Sequence, residues 1–490
     1  MILNFSPDIN RKRGFAFFIL IIGFFFLNTS IRGQLADKAK HIEVAELIKK
    51  EYNTKNYKNI YWMLDSVMKK RTTEEKLIDF YKTKLFDNYG EMDQLICTDF
   101  KTQFYLFTAT FKTTQLDLVL ACSPDGKIKS MGWIPHKEKE AEHIPLKNEN
   151  YLSDNAKKTN WDLKVDSIVK NFMSNGSNCG LSIGIINGDE ITYYNYGEVK
   201  RNSKQIADTN TVYEIGSISK TFTGILLGQA LSDKKVNLID DIRKYLPEDC
   251  KNLVYVGNPI KLMHLANHTS RIPRMPSDFE SQPNYDMNNP YKNYSKKMVF
   301  NYLKKLALDT LPGVKNEYSN LGMALLGIIL EKVYNKTYEE LVSEFITKPC
   351  GMKSTKIVMS ENENKYFATG YNANGEPTTH WDLGDLAPAG GIRSTSADMI
   401  RYIKANMQEA SEKFKLAHSA TFNTGSGTIA LSWFVDINKK GNTQIWHNGG
   451  TAGFSSFCGY INGKKLGVVV LSNSGNRADY IGIGILKLLQ

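Results

Sequence analysis

Between residues 180 and 471 the period of the hydrophobic pattern changes twice, and few architectures accommodate that change. Gly180-Leu181-Ser182-Ile183-Gly184-Ile185-Ile186 and Glu190-Ile191-Thr192-Tyr193-Tyr194 read as two strands. Asn187-Gly188 lies between them, the dipeptide best suited to a tight hairpin because both residues accept positive φ. Helical spacing then dominates from Ser217 to about residue 410. Strands return at 430–435, 443–446, 455–457 and 466–471, and a last helix closes the chain. Strands at both ends with helices between them predict an α+β fold. It has a central antiparallel sheet flanked by helices, interrupted by a helical subdomain, and the active site is expected between the two parts.

Upstream, residues 36–88 carry helical periodicity around Val44-Ala45-Leu47-Ile48 and Ile60-Met63-Leu64-Val67-Met68. Residues 92–135 switch to period-two alternation, with a strong turn at Ser123-Pro124-Asp125-Gly126. This predicts a small α+β domain over 36–135. Residues 136–157 are polar, charged and aperiodic and read as a linker to a larger domain over 158–490. The pattern of 36–135 resembles the cystatin-like or nuclear-transport-factor-like cone domains, a resemblance that carries no catalytic motif. Substrate presentation, dimerisation and spacing from a membrane all stay open as its role.

At the N-terminus, Arg11-Lys12-Arg13 precedes an uninterrupted apolar run from Gly14 to Leu27 and then Asn28-Thr29-Ser30. The run is shorter than the roughly 20 residues that span a bilayer, so residues 1–33 read as a signal peptide, or as a membrane anchor if uncleaved. An exported protein is expected, periplasmic or extracellular, with membrane association through this segment as the second option. The net charge of +11 is spread along 490 residues without a compact basic motif, so nucleic acid is not an expected partner. Six cysteines lack C-x-x-C spacing, which implies no zinc site. Cys97 and Cys122, both on predicted strands, form the one pair worth considering for a disulfide; buried free thiols are the ordinary reading. His264 and His268 are spaced as in helical zinc proteases, but Leu265 stands where the catalytic Glu would be. No metal or organic cofactor is expected.

Three short segments carry chemistry. In Glu214-Ile215-Gly216-Ser217-Ile218-Ser219-Lys220-Thr221, a Ser opens an apolar helix and a Lys follows on the same face. A hydroxyl needs a neighbouring base to become a nucleophile, and a Lys serves if burial and a helix N-terminus disfavour its ammonium form. S-x-x-K alone is weak, since it also occurs at Ser66, Ser167 and Ser232, where a solvated helix face explains it. The preceding Gly and the apolar continuation single out Ser217. The second segment, Glu317-Tyr318-Ser319-Asn320, precedes another apolar helix. Tyr318, its proton acidified by Lys220, is a candidate general base and acid, and Asn320 can orient a substrate amide and Lys220. The third is Trp446-His447-Asn448-Gly449-Gly450-Thr451 at a strand end, where glycines let backbone approach a substrate closely. The amides of Ser217 and Gly450 are the expected oxyanion hole.

In this order the three segments resemble those of the class C β-lactamase, D-Ala-D-Ala carboxypeptidase and esterase superfamily, over essentially all of 158–490. Further matching stretches are Ile260–Ser270, Phe345–Met352 and Ala389–Asp398. The resemblance implies that Ser217–Lys220, Tyr318–Asn320 and His447–Gly449 line one cleft. Ser217, Lys220 and Tyr318 are then catalytic, and Asn320, His447, Asn448 and Gly449 bind substrate. Two departures stand out. His447 replaces the Lys of many true β-lactamases and is charged only below about 6.5 if unperturbed, which favours peptidase or esterase chemistry over efficient β-lactam hydrolysis. Arg271 stands where relatives have Gly.

The expectation is a serine hydrolase that acts through an acyl-enzyme on D-amino-acid peptides of cell-wall type, esters or related small acyl substrates. A catalytically weak penicillin-binding or sensor protein that retains the cleft is the alternative.

Overall fold

The computed structural model describes residues 31–101, 104–136 and 150–490. The charged and apolar N-terminal segment and most of the expected linker lie outside the described residues. Among the described residues, no helix is long and apolar enough to cross a membrane. The chain divides into two compact units, 1–143 and 144–490.

In the first unit, helix α1 (Ile31–Asn53) and shorter helical segments up to Tyr89 precede four antiparallel strands in sequential order. These are β1 (Met92–Lys101), β2 (Phe104–Phe111), β3 (Gln115–Cys122) and β4 (Ile128–Pro135). Alternation puts Tyr105, Phe107, Ala109 and Phe111 of β2 on one face, where they share a core with Ile48, Tyr52 and Ile60 of the helices. The sheet order corrects the disulfide considered above. Cys97 on β1 and Cys122 on β3 are separated by β2, about 10 Å for two strand spacings, and both are free thiols.

The second unit starts with α2 (Asn160–Met173), whose N-terminus is closed reciprocally. Thr159 Oγ1 accepts from the Asp162 amide at 3.0 Å, and Asp162 Oδ2 accepts from the Thr159 amide at 2.9 Å. The hairpin of β5 (Gly180–Asn187) and β6 (Glu190–Gly197) follows, then the short β7 (Val212–Glu214) and α3 (Ser219–Ser232). Helix α4 (Asn320–Tyr334), strand β8 (Arg393–Thr395), α5 (Ser396–Met407) and α6 (Glu412–His418) continue the chain. The strands β9 (Phe422–Asn423), β10 (Thr428–Ile429), β11 (Phe434–Ile437), β12 (Thr443–Gly450), β13 (Ser455–Ile461) and β14 (Leu466–Ser472) then lead to α7 (Asp479–Leu488).

Both ends of this stretch join one antiparallel sheet in the order β9-β10-β11-β12-β13-β14-β5-β6, as the change of period predicts. Its central strands β5, β13 and β14 are covered on both faces, which explains their nearly unbroken apolar runs. One face packs on Val165 and Val169 of α2 and on Ile481 and Ile485 of α7. The other meets the helical part, including Phe222 and Leu226 of α3, Leu325 of α4 and Ile400 of α5. One element differs from expectation. Most of the strand predicted at 430–435 is the turn between β10 and β11, with Ser432 at φ +64°, and only Phe434 and Val435 lie in a strand. That turn lets Leu431 and Trp433 both enter the core.

Candidate active site

Ser217 occupies a 3-10 turn, Gly216–Ile218, that joins β7 to α3. It is partly exposed while its neighbours on both sides are buried. Helix α3 is buried nearly all round, so Lys220, three residues on, is pointed into the protein with no exposure. Its Nζ lies 3.0 Å from Ser217 Oγ and donates to the Ala389 carbonyl at 2.5 Å. Burial, with a smaller push from Arg274, holds the Lys220 pKa well below its ordinary value. A free amine beside a hydroxyl is able to take its proton.

The Tyr318 phenol is near enough to the Ser217 hydroxyl for that group to lower its pKa, and Lys220 Nζ lies 4.7 Å from the centre of the Tyr318 ring. The tyrosine is held by its surroundings. Ser319 Oγ donates to the Pro273 carbonyl at 2.8 Å, the Ser319 amide donates to His268 Nδ1 at 3.2 Å, and the His268 ring lies 4.4 Å from the Tyr318 ring. The Asn320 and Leu321 amides, at the start of α4, donate to the Arg274 carbonyl.

Two expectations are corrected here. Lys220 does not acidify Tyr318: burial pushes the phenol up to about 12, offset only in part by the Ser217 hydroxyl and the charge of Arg274. The same burial that frees the lysine amine removes the ammonium that would have acidified the phenol, so Tyr318 stands as a proton donor. Nor does Asn320 hold Lys220, which the Ala389 carbonyl does; Asn320 hydrogen-bonds Tyr291 and leaves its Oδ1 buried without a partner.

Strand β12 brings the third segment alongside. A Cβ on Gly449 would lie 2.1 Å from the Ile215 carbonyl oxygen, and one on Gly216, at φ +51°, 2.7 Å from the Gly450 amide nitrogen. Only glycine at both positions lets the strand end press against the Ser217 turn. Ser456 Oγ fastens the contact by donating to the Ile215 carbonyl at 2.8 Å. The neighbouring strand β11 pairs with β12 only as far as Trp446, so the edge from His447 onward has no strand beside it on that side. The Gly216 contact sets the Gly450 amide nitrogen beside the Ser217 turn. By alternation Asn448 shares the face of its partner Phe457, opposite to His447, so His447 and Gly449 face Ser217 and the Asn448 side chain does not.

His447 is fully buried, with Nδ1 2.6 Å from the Asn448 carbonyl and its ring stacked on Phe434 at 4.8 Å. Burial, which strips water from the imidazolium form, drives its pKa down to about 3. It is therefore neutral across the working range and cannot stand in for a charged Lys.

The profile of the β-lactamase family matches residues 165–486, well over half of the chain. The chain belongs to the β-lactamase family. A β-lactamase of Pseudomonas fluorescens is 28% identical over 345 residues, covering 63% of this chain and 92% of that protein. The D-alanyl-D-alanine-carboxypeptidase/endopeptidase AmpH of Escherichia coli (strain K12) is 26% identical over 326 residues, 63% of this chain and 82% of the other. A class C β-lactamase structure aligns with a TM-score of 0.59 at 25% identity, covering 67% of this chain and 96% of that one. This β-lactamase-related protein is a serine hydrolase whose second unit carries the family fold.

Sequence reasoning missed several residues around the site of this β-lactamase-family chain. Ala389 sits inside one of the matching stretches, yet its carbonyl gives no side-chain signal. His268 reads as a helix-end histidine, and in the structure it lies just beyond a short helix at φ +60°, packed on Tyr318. Glu214, three residues before Ser217, is buried and accepts from the Trp381 amide at 2.7 Å; burial lifts its pKa to about 7. Among the described residues, no cluster of side chains is built to hold a metal ion.

Proposed function

We propose that the chain hydrolyses D-amino-acid peptides, esters or related small acyl compounds through an acyl-enzyme on Ser217. The observation that carries this reading is the convergence on one hydroxyl of the Lys220 amine at 3.0 Å and the Tyr318 phenol. Lys220 takes the Ser217 proton as Oγ attacks the carbonyl, and the Ser217 and Gly450 amides receive the oxyanion. Tyr318 protonates the leaving group and is recharged by the proton that Lys220 collected. Water then enters, gives up a proton along the same route in reverse, and frees Ser217.

The neutral His447 supports peptidase or esterase chemistry over efficient β-lactam turnover, because the usual cation on this strand is missing at every working pH. Substrates of cell-wall origin accord with the export expected from the N-terminal segment. The test is a panel of acyl-D-alanyl peptides, p-nitrophenyl esters and nitrocefin on purified protein. The reading expects turnover of peptides or esters to exceed that of nitrocefin and to vanish in S217A. Turnover that persists in S217A would contradict it.

A further inference from the structure

With His447 neutral and Lys220 disposed to lose its charge, the permanent cation at this site comes from elsewhere. Arg274 lies on the turn after His268-Thr269-Ser270, with its guanidinium carbon 5.1 Å from the centre of the Tyr318 ring. Its backbone is fixed, because its carbonyl receives the first two amides of α4 and the preceding Pro273 carbonyl receives Ser319 Oγ. Its side chain is exposed. Among the described residues no carboxylate pairs with it, whereas Arg271, three positions earlier, is paired with both Asp309 and Glu317. Its charge nevertheless reaches inward, and it bears on Lys220, Tyr318, His268 and Tyr291.

A guanidinium keeps its charge at any working pH and offers a planar fork suited to a carboxylate. One that is exposed, lacks a protein counter-ion and lies on the proton-donating tyrosine is placed to receive an anion from solvent. Because Tyr318 delivers its proton to the leaving group, the anion beside it belongs to the leaving group and not to the acyl part.

We propose that Arg274 is the specificity-determining residue that recognises a carboxylate on the leaving group, doing so from the helical side of the site and not from the sheet strand at 447. The inference rests on the acyl-transfer reading of Ser217. It gives that reading a substrate class, acyl donors whose departing hydroxy or amino acid retains a free carboxylate. Lys220 and Tyr318 act on such a substrate as on any other, and Arg274 sets which leaving group is seated against them.

The test compares two esters with the same acyl group, one releasing a hydroxy acid and the other the matching hydroxy amide. The full chain and its R274Q, R274K and H447Q variants are assayed with both, and Ser217 is titrated separately with a small neutral fluorophosphonate. The acid-releasing ester is expected to be preferred about tenfold or more in kcat/KM, as for a charge-assisted hydrogen bond. That ratio is expected to fall to near one in R274Q, to survive in part in R274K, to shrink with added salt and to persist in H447Q. Equal kcat/KM for the two esters, or a preference that R274Q leaves intact, would overturn the role of Arg274 while labelled Ser217 upholds the hydrolase. Failure of the fluorophosphonate to label Ser217 would instead overturn the acyl-transfer reading on which the proposal stands.

Discussion

Arg271 Nη1 donates to Glu317 Oε2 at 2.9 Å, one residue ahead of Tyr318. The same guanidinium clasps Asp309 through Nε at 2.9 Å and Nη2 at 2.7 Å. Its side chain is only 4% exposed, and its backbone takes φ +66°, a conformation that glycine adopts more easily. Arg271 thus forgoes the relaxed backbone a glycine would have there and forms a clamp on the loop that presents Tyr318. Replacing Arg271 by Ala is expected to cost about 1–2 kcal/mol of stability and to lower kcat more than it raises KM. R271G should recover about 0.5–1 kcal/mol of that stability by relieving the backbone, without restoring kcat. Denaturant melts with steady-state kinetics separate the two effects.

With its pKa raised to about 12, the Tyr318 phenol holds its proton and, in the proposed mechanism, donates it to the leaving group. Its contribution should therefore depend on how badly the leaving group needs a proton. Y318F is expected to lose about 10²–10³-fold in kcat on an amide or alkyl ester and far less on a p-nitrophenyl ester, whose phenolate departs unaided. Equal losses on both substrates would show that the phenol acts before the leaving-group step.

Glu214 gives a stability test with a definite sign. Burial lifts its pKa from 4.5 to about 7, so the native state keeps a proton that the unfolded chain has already released across that window. The stability linked to it is full below pH 4.5 and is lost as pH rises through 7. E214Q keeps an acceptor for the Trp381 amide but cannot ionise. Relative to wild type it should gain up to about 3 kcal/mol between pH 4.5 and pH 8, read from denaturant unfolding at the two pH values. A constant difference would place the ionisation of Glu214 elsewhere.

What the sequence made legible follows the range of the interactions. Ser217 and Lys220 share a helix face, so their pairing is local and readable from spacing. The two-block strand pattern likewise reveals the sheet, because strands covered on both faces must be apolar along their length. Tyr318 was legible as part of an ordered set of segments, but its protonation was not. That depends on how deeply Lys220 is buried, a property of α3, α4 and the 389–392 segment together. His447 was legible as a residue and misjudged as a titrating group for the same reason. Arg274 and Ala389 gave no signal, since an exposed Arg in a turn and a backbone carbonyl acquire meaning only from what folds against them.

The most direct measurement is intact-mass analysis of the full chain after reaction with a fluorophosphonate or penicillin, followed by mapping of the adduct. The account predicts one covalent adduct, on Ser217, absent from S217A and formed about 10²–10⁴-fold more slowly in K220R, where the general base is lost. An adduct on any other residue, or a labelling rate in K220R equal to wild type, would contradict it.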